Sequence, residues 1–388
     1  MPPRRVEVAT PQARYDVLIG HGLLDELGTL AHERLGPLRA ACVFEDLGVP
    51  AGLRDAAAES LGGAAVGRYD FALDERSKSI ETWSAMLAAL AERRIERAGD
   101  AVFAIGGGIL GDVAGFAAAA YRRGVPIVQC PTTLLAMVDA SVGGKTGVNL
   151  RHATDGGETL LKNFVGAFHQ PALVVADVDA LRSLGDRDLA CGLAECIKHT
   201  LIAPATDGPA SLGWLLDHAD EIRGRSPAVL ADLVSAHVSI KARVVAGDER
   251  ERATGNEPGR RALNLGHTFA HAIEALDAVR VDGDGGRDHP RHGEAVGLGL
   301  IAATRLAEIL DAAPPQRREE VEHALRSVGL PTRLAEAPSA DALIDAMHQD
   351  KKAAGGVLRL VVPTAGGVRI ADAPPADALE RAWAAVIP

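Results

Sequence analysis

The clearest fold signal in the chain is Ala101-Val-Phe-Ala-Ile-Gly106-Gly-Gly-Ile-Leu-Gly111-Asp112. A short apolar run, typical of a buried strand, leads into a glycine-rich turn and then into a helical pattern. The spacing Gly106-x-Gly108-x-x-Gly111 matches the dinucleotide-binding pattern, in which glycines let the backbone approach a pyrophosphate and the helix start offers free N–H groups. The alternative is a strand-to-helix connection that binds nothing, and we favour phosphate binding.

The acidic partner of this pattern is not where it usually lies. The pattern normally places an acidic residue about 20 positions after the glycines to hold a ribose. No acidic residue closes a strand at that distance here. We expect Asp46, at the end of an earlier strand, to make the contact instead.

Strands and helices alternate around the glycine turn. This alternation predicts a parallel, doubly wound sheet, so we assign residues 1–185 to an α/β, Rossmann-like nucleotide-binding domain. The predicted elements are strands at Val6–Ala9, Tyr15–Ile19, Ala40–Phe44, Ala101–Ile105, Ile127–Cys130 and Leu173–Ala176, and a helix at Ile80–Glu96.

The pattern changes after residue 185 to long helical periods with few β-branched runs. We therefore assign residues 186–388 to an all-α C-terminal domain. Its predicted elements are helices at Pro227–Ala246, Ala262–Leu276, Gly293–Leu310 and Arg317–Val328, with one late strand at Val357–Val362.

Length and composition restrict the class of protein. A chain of 388 residues is long for one core and predicts two domains. The net charge of −11 argues against general nucleic-acid binding, although a local cluster of Lys and Arg can still bind an anionic substrate. The absence of an uninterrupted apolar run of about 18 residues predicts no membrane span. The first residues lack the apolar region of a signal peptide.

The four cysteines, Cys42, Cys130, Cys191 and Cys196, fit neither a metal motif nor a disulfide scaffold. We expect them to be buried thiols of a cytoplasmic protein, because the cytoplasm keeps thiols reduced.

A second chemical signal is His267-Thr-Phe-Ala-His271, with Glu195 upstream and His292 downstream. Histidines at i and i+4 share one helix face. Three of these four side chains can form a His2Glu site with one open position, which is typical of a catalytic zinc rather than a structural one. Thr268 stands where a zinc protease has its glutamate, so the protease motif is absent.

Several cations follow the glycine turn and suggest an anion site. Thr132 and Thr133 supply hydroxyl groups after a strand, and Gly143-Gly144-Lys145 places an ammonium beside a flexible backbone. Arg122-Arg123 precedes this stretch and Lys162-Asn163 follows it. Taken alone, Lys241 and the pair Lys351-Lys352 are no more than solvated lysines on helices.

Three segments rich in Gly, Asp, Arg and Pro read as enlarged surface loops: Leu150–Leu161, Arg250–Gly259 and Val281–Arg291. Each lies beside a proposed functional segment, so each either shapes a site or is a tolerated insertion. For Val281–Arg291 we favour the tolerated insertion.

Seven blocks occur in an order that resembles one family. They are Gly106-Gly-Gly-x-x-Gly-Asp-x-Ala-Gly-Phe116, Pro131-Thr-Thr-Leu-Leu-Ala-x-Val-Asp139, Ser141-Val-Gly-Gly-Lys-Thr146, Lys162-Asn-x-x-Gly-Ala-Phe168, Gly192-Leu-Ala-Glu-x-x-Lys198, Leu263-Asn-Leu-Gly-His-Thr-Phe-x-His-Ala-Ile-Glu274 and His292-Gly-Glu-Ala-Val296. From about residue 45 to about residue 363 the chain resembles the 3-dehydroquinate synthases of the sugar phosphate cyclase superfamily.

The resemblance implies an NAD-binding α/β domain, a helical domain that holds zinc or cobalt, a homodimer, and a lyase of the shikimate pathway. The implied reaction closes 3-deoxy-D-arabino-heptulosonate 7-phosphate into 3-dehydroquinate and releases phosphate. NAD takes a hydride from C5 and later returns it, so no net oxidation occurs. The metal chelates the C4 and C5 hydroxyls, and an intramolecular aldol step closes the ring.

The resemblance also implies roles for individual residues. The metal ligands are Glu195, His267 and His292, and His271 is a non-ligand histidine that helps to move the C5 hydroxyl proton. Lys145, Asn163, Arg260, Asn264 and one of Lys351 and Lys352 hold phosphate and carboxylate. The remaining substrate shell is Arg123 (from the neighbouring subunit), Asp139, Lys162, Lys198 and Lys241. We count Lys145, Lys198, Arg260, Asn264 and His271 as catalytic.

The implied NAD contacts form the longest set: Asp46, Glu75, Lys78, Gly107, Gly108, Asp112, Thr132, Thr133, Ser183 and Leu184, together with Lys145 and Lys162.

This chain departs from the family pattern in three places. The stretch between Asn149 and Lys162 is longer than usual, and Ser183 replaces the usual threonine. The segment before Arg260 is expanded too. That expansion leaves open whether Glu251 or Glu257 is the acidic neighbour of the catalytic histidine.

Three other functions compete with the dehydroquinate interpretation. The first is a sibling cyclase that acts on sedoheptulose 7-phosphate or glucose 6-phosphate, and Arg260, Asn264 and His271 count against it because those substrates lack the carboxylate. The second is a metal-dependent glycerol-type dehydrogenase, which would form NADH from a simple polyol. The third is a non-catalytic relative, which the complete polar set disfavours.

Overall fold

The computed structural model describes residues 2–154, 157–255, 257–283, 286–352 and 357–388; of these, the side chains of 153–154, 157–159 and 350–352 lie outside the description. The chain divides into two compact units. The first is Met1–Leu184 with Arg225–Ala246, and the second is Gly185–Gly224 with Gly247–Pro388. The first unit therefore includes one long helix, close to Pro227–Ala246, that lies beyond the predicted boundary at residue 185.

Residues 2–184 contain nine strands and four α-helices in the described ranges: β1 (Arg4–Ala9), β2 (Arg14–Gly20), α1 (Leu27–Leu35), β3 (Ala40–Asp46), α2 (Ala51–Ser60), β4 (Ala65–Phe71), α3 (Ile80–Glu92), β5 (Asp100–Gly106), α4 (Gly108–Ala120), β6 (Ile127–Pro131), β7 (Lys145–Thr154), β8 (Gly157–Phe168) and β9 (Leu173–Asp177). All six predicted strands are present, and β4, β7 and β8 are additional strands. The predicted helix is present as α3, which ends at Glu92 rather than Glu96.

Seven of these strands form one sheet in the order β1-β2-β9-β6-β5-β3-β4. The edge strand β1 pairs antiparallel with β2, and every other pair in this sheet is parallel. The strand order reverses between β3 and β5. In open α/β sheets this reversal leaves a crevice at the carboxyl ends of the strands, where ligands bind.

Both faces of the sheet are covered, because side chains along each strand alternate between them. In β3, Ala41 and Val43 join a core packed with α1 and α2, whereas Cys42 and Phe44 join a second core packed with α3 and α4. The doubly wound α/β prediction is confirmed for this unit.

The prediction of a loop at Leu150–Leu161 is wrong for its described residues. Strands β7 and β8 pair antiparallel through Leu150↔Leu161 and on to Thr154↔Gly157, with residues 155–156 outside the description. The extra residues lengthen a hairpin because continued pairing satisfies the backbone N–H and C=O groups that an irregular loop would leave without partners.

Residues 185–388 contain the helices α5 (Asp186–Ile202), α6 (Leu212–Asp217), α7 (Ala219–Arg223), α8 (Pro227–Gly247), α9 (His267–Ala275), α10 (His292–Ile309), α11 (Pro315–Ser327), α12 (Ala340–Lys352) and α13 (Ala376–Trp383), with the strands β10 (Val281–Gly283), β11 (Gly286–Asp288), β12 (Arg359–Thr364) and β13 (Gly367–Asp372). Of these, α8 belongs to the first unit.

The second unit is helical with two small hairpins, so the all-α prediction needs correction. The hairpins are β10 with β11 and β12 with β13. The first forms inside Val281–Arg291, which we predicted to be a loop. The segment Arg250–Gly259 has no α-helix or strand among its described residues, as expected.

The predicted helix Ala262–Leu276 is in fact broken. A 3-10 helix covers Gly259–Asn264, and α9 starts only at His267. Gly266 separates them with φ +78, a left-handed conformation that glycine adopts without steric cost. The break places His267 in the first turn of α9.

None of the helices in the described ranges combines the length and the apolar character needed to cross a bilayer.

All four cysteines are buried thiols rather than halves of a disulfide. Burial raises the pKa of Cys42 and of Cys191 to about 12 and raises that of Cys130 further. A raised pKa means that the thiolate, which is the reactive form, is scarce at neutral pH.

We therefore expect the native protein to react slowly with a thiol reagent such as DTNB at pH 8, and the protein in 6 M guanidinium chloride, roughly the concentration that unfolds stable domains, to release one equivalent per cysteine within minutes. The absorbance of the released chromophore measures both. Rapid reaction of a thiol in the native state would contradict this account of the core.

Candidate active site

The glycine turn lies at the strand-order reversal of the first unit. β5 ends at Gly106, and α4 begins at Gly108. A Cβ on Gly106 would lie 2.8 Å from the Cβ of Asp46, so the absence of a side chain lets the turn pack directly against the end of β3. Asp46 therefore lies beside the turn, which is where the sequence analysis expected an acidic group.

The paired threonines follow β6, the strand next to β5, and adjoin the same turn. The Thr132 amide donates to the Gly106 carbonyl at 2.9 Å. The Thr133 methyl lies 3.4 Å from the position of a Cβ on Gly107. Ser183 and Leu184 stand at the end of the 3-10 helix Val178–Ser183, which follows β9, the next strand along.

A polar cluster lies beside α4, with Lys78 and Asn149 buried and Glu75 and Asn163 exposed. Lys78 Nζ donates to Asp112 Oδ2 at 2.6 Å and to Asn163 Oδ1 at 2.5 Å. Asn149 lies at an irregularity in the register of β7. Its Oδ1 accepts a hydrogen bond from the Asn163 backbone amide at 2.8 Å, and its Nδ2 donates to Glu75 Oε1 at 2.9 Å. Such irregularities re-aim side chains. The cluster joins four of the predicted residues, and Asn149 is a member that the family assignment did not include.

The charges in this cluster compensate one another only in part. Burial raises the pKa of Asp112, although the Lys78 ammonium acts to lower it. A second buried pair, between Lys241 Nζ and the Asp139 carboxylate, lies in the same unit, and Lys241 also donates to the Asp139 carbonyl at 2.6 Å.

Four predicted substrate residues of this unit are exposed: Arg123, Lys145, Lys162 and Asn163. Lys145 starts β7 directly after Gly143 and Gly144, both with positive φ. The Gly143 amide donates to the buried hydroxyl of Tyr15 at 2.9 Å, which anchors this turn to β2.

In the second unit, the predicted metal ligands come together from three helices. Glu195 lies in the middle of α5, and His267 and His292 are the first residues of α9 and α10. Their ligand atoms all lie within 4.8 Å of one another. His271 lies one turn further along α9, with its ring 6.0 Å from that of His267.

The geometry of these three residues fits a divalent metal. Each histidine Nε2 lies 3.7 Å from Glu195 Oε1, which is too far for a hydrogen bond. Two ligands bound about 2.1 Å from a tetrahedral ion are separated by roughly 3.4 Å. The opposite ring nitrogens are held in place: His267 Nδ1 lies 3.2 Å from the Leu265 carbonyl and His292 Nδ1 lies 2.9 Å from Glu274 Oε1. Such partners orient metal-binding histidines.

Local charges set the protonation of the two histidines in different directions. Burial, together with the Lys198 ammonium, lowers the pKa of His267 to about 3, so its imidazole is neutral and able to bind a cation. Burial has the same effect on His292, but the carboxylates of Glu195 and Glu274 outweigh it and raise the pKa to about 10. A metal at His292 must therefore displace a proton.

Lys198 forms an ion pair with Glu195 Oε2, one helical turn away on α5, and both side chains are buried. The structure thus places this predicted substrate residue directly on the carboxylate of the metal triad.

Helices α5 and α10 approach each other at a glycine, and this close approach brings Glu195 and His292 together. A Cβ on Gly293 would lie only 2.6 Å from the Cys191 carbonyl carbon, so α10 begins in direct backbone contact with α5. On the other side of α10, a Cβ on Gly299 would overlap the Gly266 carbonyl. Glycine at these positions allows α5, α9 and α10 to pack closely around the triad.

Arg260 and Asn264 lie on the 3-10 turn that precedes α9. Asp248 accepts the Arg260 amide at 3.1 Å, and the buried Arg260 side chain donates from Nη1 to the Glu249 carbonyl at 2.5 Å. Asn264 donates to Glu251 Oε1 at 3.2 Å. The structure therefore places Glu251 beside the predicted site, whereas the Glu257 carbonyl accepts from Arg261.

Two predicted residues cannot be placed. α12 ends at Lys352, and the side chains of Lys351 and Lys352 lie outside the described part of the chain.

Sequence reasoning missed Glu274, the partner of His292. A signal for it existed, since His267, His271 and Glu274 follow the i, i+4, i+7 pattern of one helix face. It also missed the partners of Glu294, which only the packing of α10 reveals.

A glycine turn at the reversal of a parallel sheet and a His2Glu triad in a helical unit define the dehydroquinate synthase-like class of folds. Comparison with known proteins narrows the class. The family model for the 3-dehydroquinate synthase N-terminal region matches residues 69–191, and that for the C-terminal region matches residues 192–353. The chain belongs to the 3-dehydroquinate synthase family.

One relative is the 3-dehydroquinate synthase of Caulobacter vibrioides (strain NA1000 / CB15N), 43% identical over 92% of both chains. Among solved structures, the chain is similar to a 2-deoxy-scyllo-inosose synthase complexed with carbaglucose-6-phosphate, NAD+ and Co2+ (24% identity, TM-score 0.80, 97% of this chain and 98% of that chain). It is also similar to the 2-epi-5-epi-valiolone synthase of Streptomyces hygroscopicus subsp. jinggangensis 5008 with NAD+ and Zn2+ bound (26% identity, TM-score 0.80, 97% of both chains).

Substitution of the Lys78–Asp112 ion pair tests whether the polar cluster beside α4 stabilises the fold. We expect Lys78→Met to destabilise the protein by about 2–3 kcal/mol, because it leaves the Asp112 carboxylate without its partner. The double variant Lys78→Met/Asp112→Asn should recover part of this loss. Urea unfolding followed by circular dichroism measures the change.

Arg14→Gln is the matched control, since Arg14 makes an exposed ion pair with Glu7 and should change stability by less than about 1 kcal/mol. Equal losses in the single and the double variant would show that the two charges do not support each other.

Proposed function

We propose that this chain is a 3-dehydroquinate synthase, which closes 3-deoxy-D-arabino-heptulosonate 7-phosphate into 3-dehydroquinate and releases phosphate. One observation carries the proposal. A family member with the complete set of motif residues keeps Glu195, His267 and His292 together, with both Nε2 atoms directed toward one carboxylate. Decay to a non-catalytic protein would not preserve this arrangement.

The cofactors in the proposal are NAD and a divalent metal, zinc or cobalt. Both solved relatives contain NAD+ and one of these ions. When bound, NAD supplies the hydride acceptor and donor, and the metal supplies a Lewis acid for the substrate hydroxyls.

In the proposal, residues of the second unit hold the ion and move one proton. Glu195, His267 and His292 would hold the ion, which would act as a Lewis acid toward the substrate hydroxyls. His271, one turn from His267 but not within the triad, would accept the proton of the C5 hydroxyl. Lys198 neutralises the Glu195 carboxylate and donates to the substrate.

Cations and amides orient the two anionic groups of the substrate. A carboxylate and a phosphate need several positive partners, and this acidic chain supplies them locally. The residues proposed to hold the substrate are Arg123, Asp139, Lys145, Lys162, Asn163, Lys198, Lys241, Arg260, Asn264 and one of Lys351 and Lys352.

In the proposal the first unit holds NAD at the carboxyl edge of its sheet. The turn at Gly107 and Gly108 accommodates the pyrophosphate, Asp46 holds a ribose, and Thr132 and Thr133 donate hydroxyl groups. Glu75, Lys78 and Asp112 form the polar wall beside α4, and Ser183 and Leu184 adjoin the cofactor after β9.

The homodimer remains a prediction from the family resemblance, and the cytoplasmic location remains a prediction from the four thiols. Light scattering on the protein as it elutes from a size-exclusion column measures its molar mass and tests the homodimer.

The activity itself is tested by phosphate release from purified protein supplied with NAD and Zn2+. We expect release from 3-deoxy-D-arabino-heptulosonate 7-phosphate, without net formation of NADH at 340 nm, and none from sedoheptulose 7-phosphate offered in parallel. The carboxylate of the first substrate is the physical basis of this preference. Release from sedoheptulose 7-phosphate alone would assign the chain to the valiolone-type cyclases, and NADH formation from glycerol to the polyol dehydrogenases.

Two single variants separate a ligand from a proton carrier. We expect His267→Ala to weaken Zn2+ binding by more than the 10–100-fold typical of changes outside the ligand shell. We expect His271→Ala to retain Zn2+ and to lower kcat by about 10²–10⁴-fold, the usual contribution of a general acid–base. Competition with a chromophoric chelator measures the metal. Loss of zinc from both variants would make His271 a ligand and refute its assigned role.

A further inference from the structure

The hairpin that precedes His292 has no role in the reaction proposed above. β10 and β11 occupy most of the enlarged segment Val281–Arg291, and α10 begins with His292 directly after it. A tolerated insertion would make contacts only among its own residues. This hairpin instead forms an ion pair with α5, the helix that carries Glu195.

Arg187, in the first turn of α5, makes the contacts that connect this helix to the hairpin and to α10. Its Nε and Nη2 donate to the two carboxylate oxygens of Glu294, at 2.6 and 2.9 Å, and its Nη1 donates to Asp288 Oδ2 at 2.6 Å. The bidentate pair is enclosed, with Arg187 13% and Glu294 4% exposed. Paired donation of this kind fixes distance and orientation together.

Glu294 transmits this contact to the start of α10. Its Oε2 also accepts a hydrogen bond from the Arg291 backbone amide at 2.8 Å, so the Glu294 carboxylate satisfies the N–H group just before His292. The Arg291 side chain donates to Asp188 Oδ1 at 2.6 Å, in the same turn of α5 as Arg187. Arg291, just before His292, and Glu294, two residues after it, are therefore both bound to side chains of α5.

Two glycines leave room for these contacts. A Cβ on Gly283 of β10 would lie 3.0 Å from Arg187 Nη1 and closer still to Asp288 Oδ2. Gly293 provides the backbone contact with Cys191 described above. The hairpin and the helix start thus pack around the guanidinium and the backbone of α5.

We propose that Arg187 is a positioning residue for the metal site, which holds His292 at its distance from Glu195, and that the β10–β11 hairpin is part of that support. The proposal rests on the metal site of the proposed function. Arg187 touches neither a ligand atom nor a substrate group. It acts by joining α5, which carries Glu195, to Glu294, whose carboxylate accepts from the Arg291 amide at the start of α10.

The test measures metal binding and coordination directly. We expect Arg187→Gln to weaken Co2+ affinity about 10–100-fold, the usual effect of a change outside the ligand shell. At saturating Co2+ the visible absorption bands of this variant should shift, because the ligand geometry changes. Arg187→Lys, which keeps the charge but loses the bidentate geometry, should fall between it and the natural protein.

Asp288→Asn keeps the Arg187–Glu294 pair and removes only the hairpin branch. Asp288 is 50% exposed, so we expect a loss of affinity below about fivefold. This variant and Arg187→Lys keep the test decisive if Arg187→Gln does not fold.

Arg287→Gln is the matched control on the same hairpin. Arg287 Nη1 donates to Glu336 Oε1 at 2.5 Å, and Arg287 forms no ion pair with α5 or α10 in the described residues. We expect its Co2+ affinity and spectrum to match those of the natural protein.

An unchanged affinity and spectrum in Arg187→Gln, or equal changes in Arg287→Gln, would overturn the proposal. Failure of the proposed function has a different signature. In that case the natural protein itself would bind no Co2+ at the triad, or would bind it and release no phosphate from the heptulosonate phosphate.

Discussion

The helical unit depends on a fully buried carboxylate. Glu195 lies in α5 with two imidazoles and the Lys198 ammonium around it. An ionised carboxyl group is costly to bury unless cations and hydrogen bonds compensate it. Lys198 provides part of that compensation, and the divalent ion of the proposed function would provide the rest. The requirement explains why three helices converge on one residue, why their contact points are glycines, and why Lys198 lies one turn from the carboxylate.

The same constraint governs the support around the triad. A histidine at a helix start has few neighbours on its own helix to hold it, and here the hydrogen bonds come from elsewhere. His292 is held by Glu274 of α9 through its ring and by Arg187 of α5 through Glu294. His267 follows the left-handed Gly266 and contacts the Leu265 carbonyl. The positions of the proposed metal ligands His267 and His292 are thus set by the packing of helix ends.

In the first unit the governing constraint is sheet topology. The reversal between β3 and β5 places Asp46 against the glycine turn, although 60 positions separate Asp46 from Gly106 along the chain. The expanded segments follow a simpler rule. Where the backbone can pair, extra residues lengthen a hairpin, as in β7 with β8 and β10 with β11. Only Arg250–Gly259, rich in turn-forming residues, keeps an irregular course around Asp248.

Local patterns determined much of this protein. Apolar periodicity located all six strands predicted for the main sheet. The spacing of His267 and His271 and the motif around Glu195 narrowed the metal ligands to three of four side chains, and the family resemblance selected Glu195, His267 and His292. These signals are local because side-chain period and ligand type are written in adjacent residues. Tertiary structure decided the break at Gly266, the pairing of β10 with β11, the choice of Glu251 over Glu257 beside Asn264, and the roles of Glu274 and Arg187. Each of these depends on backbone approach or ion pairing between residues distant in sequence, and a pattern along one chain does not record which distant groups will meet.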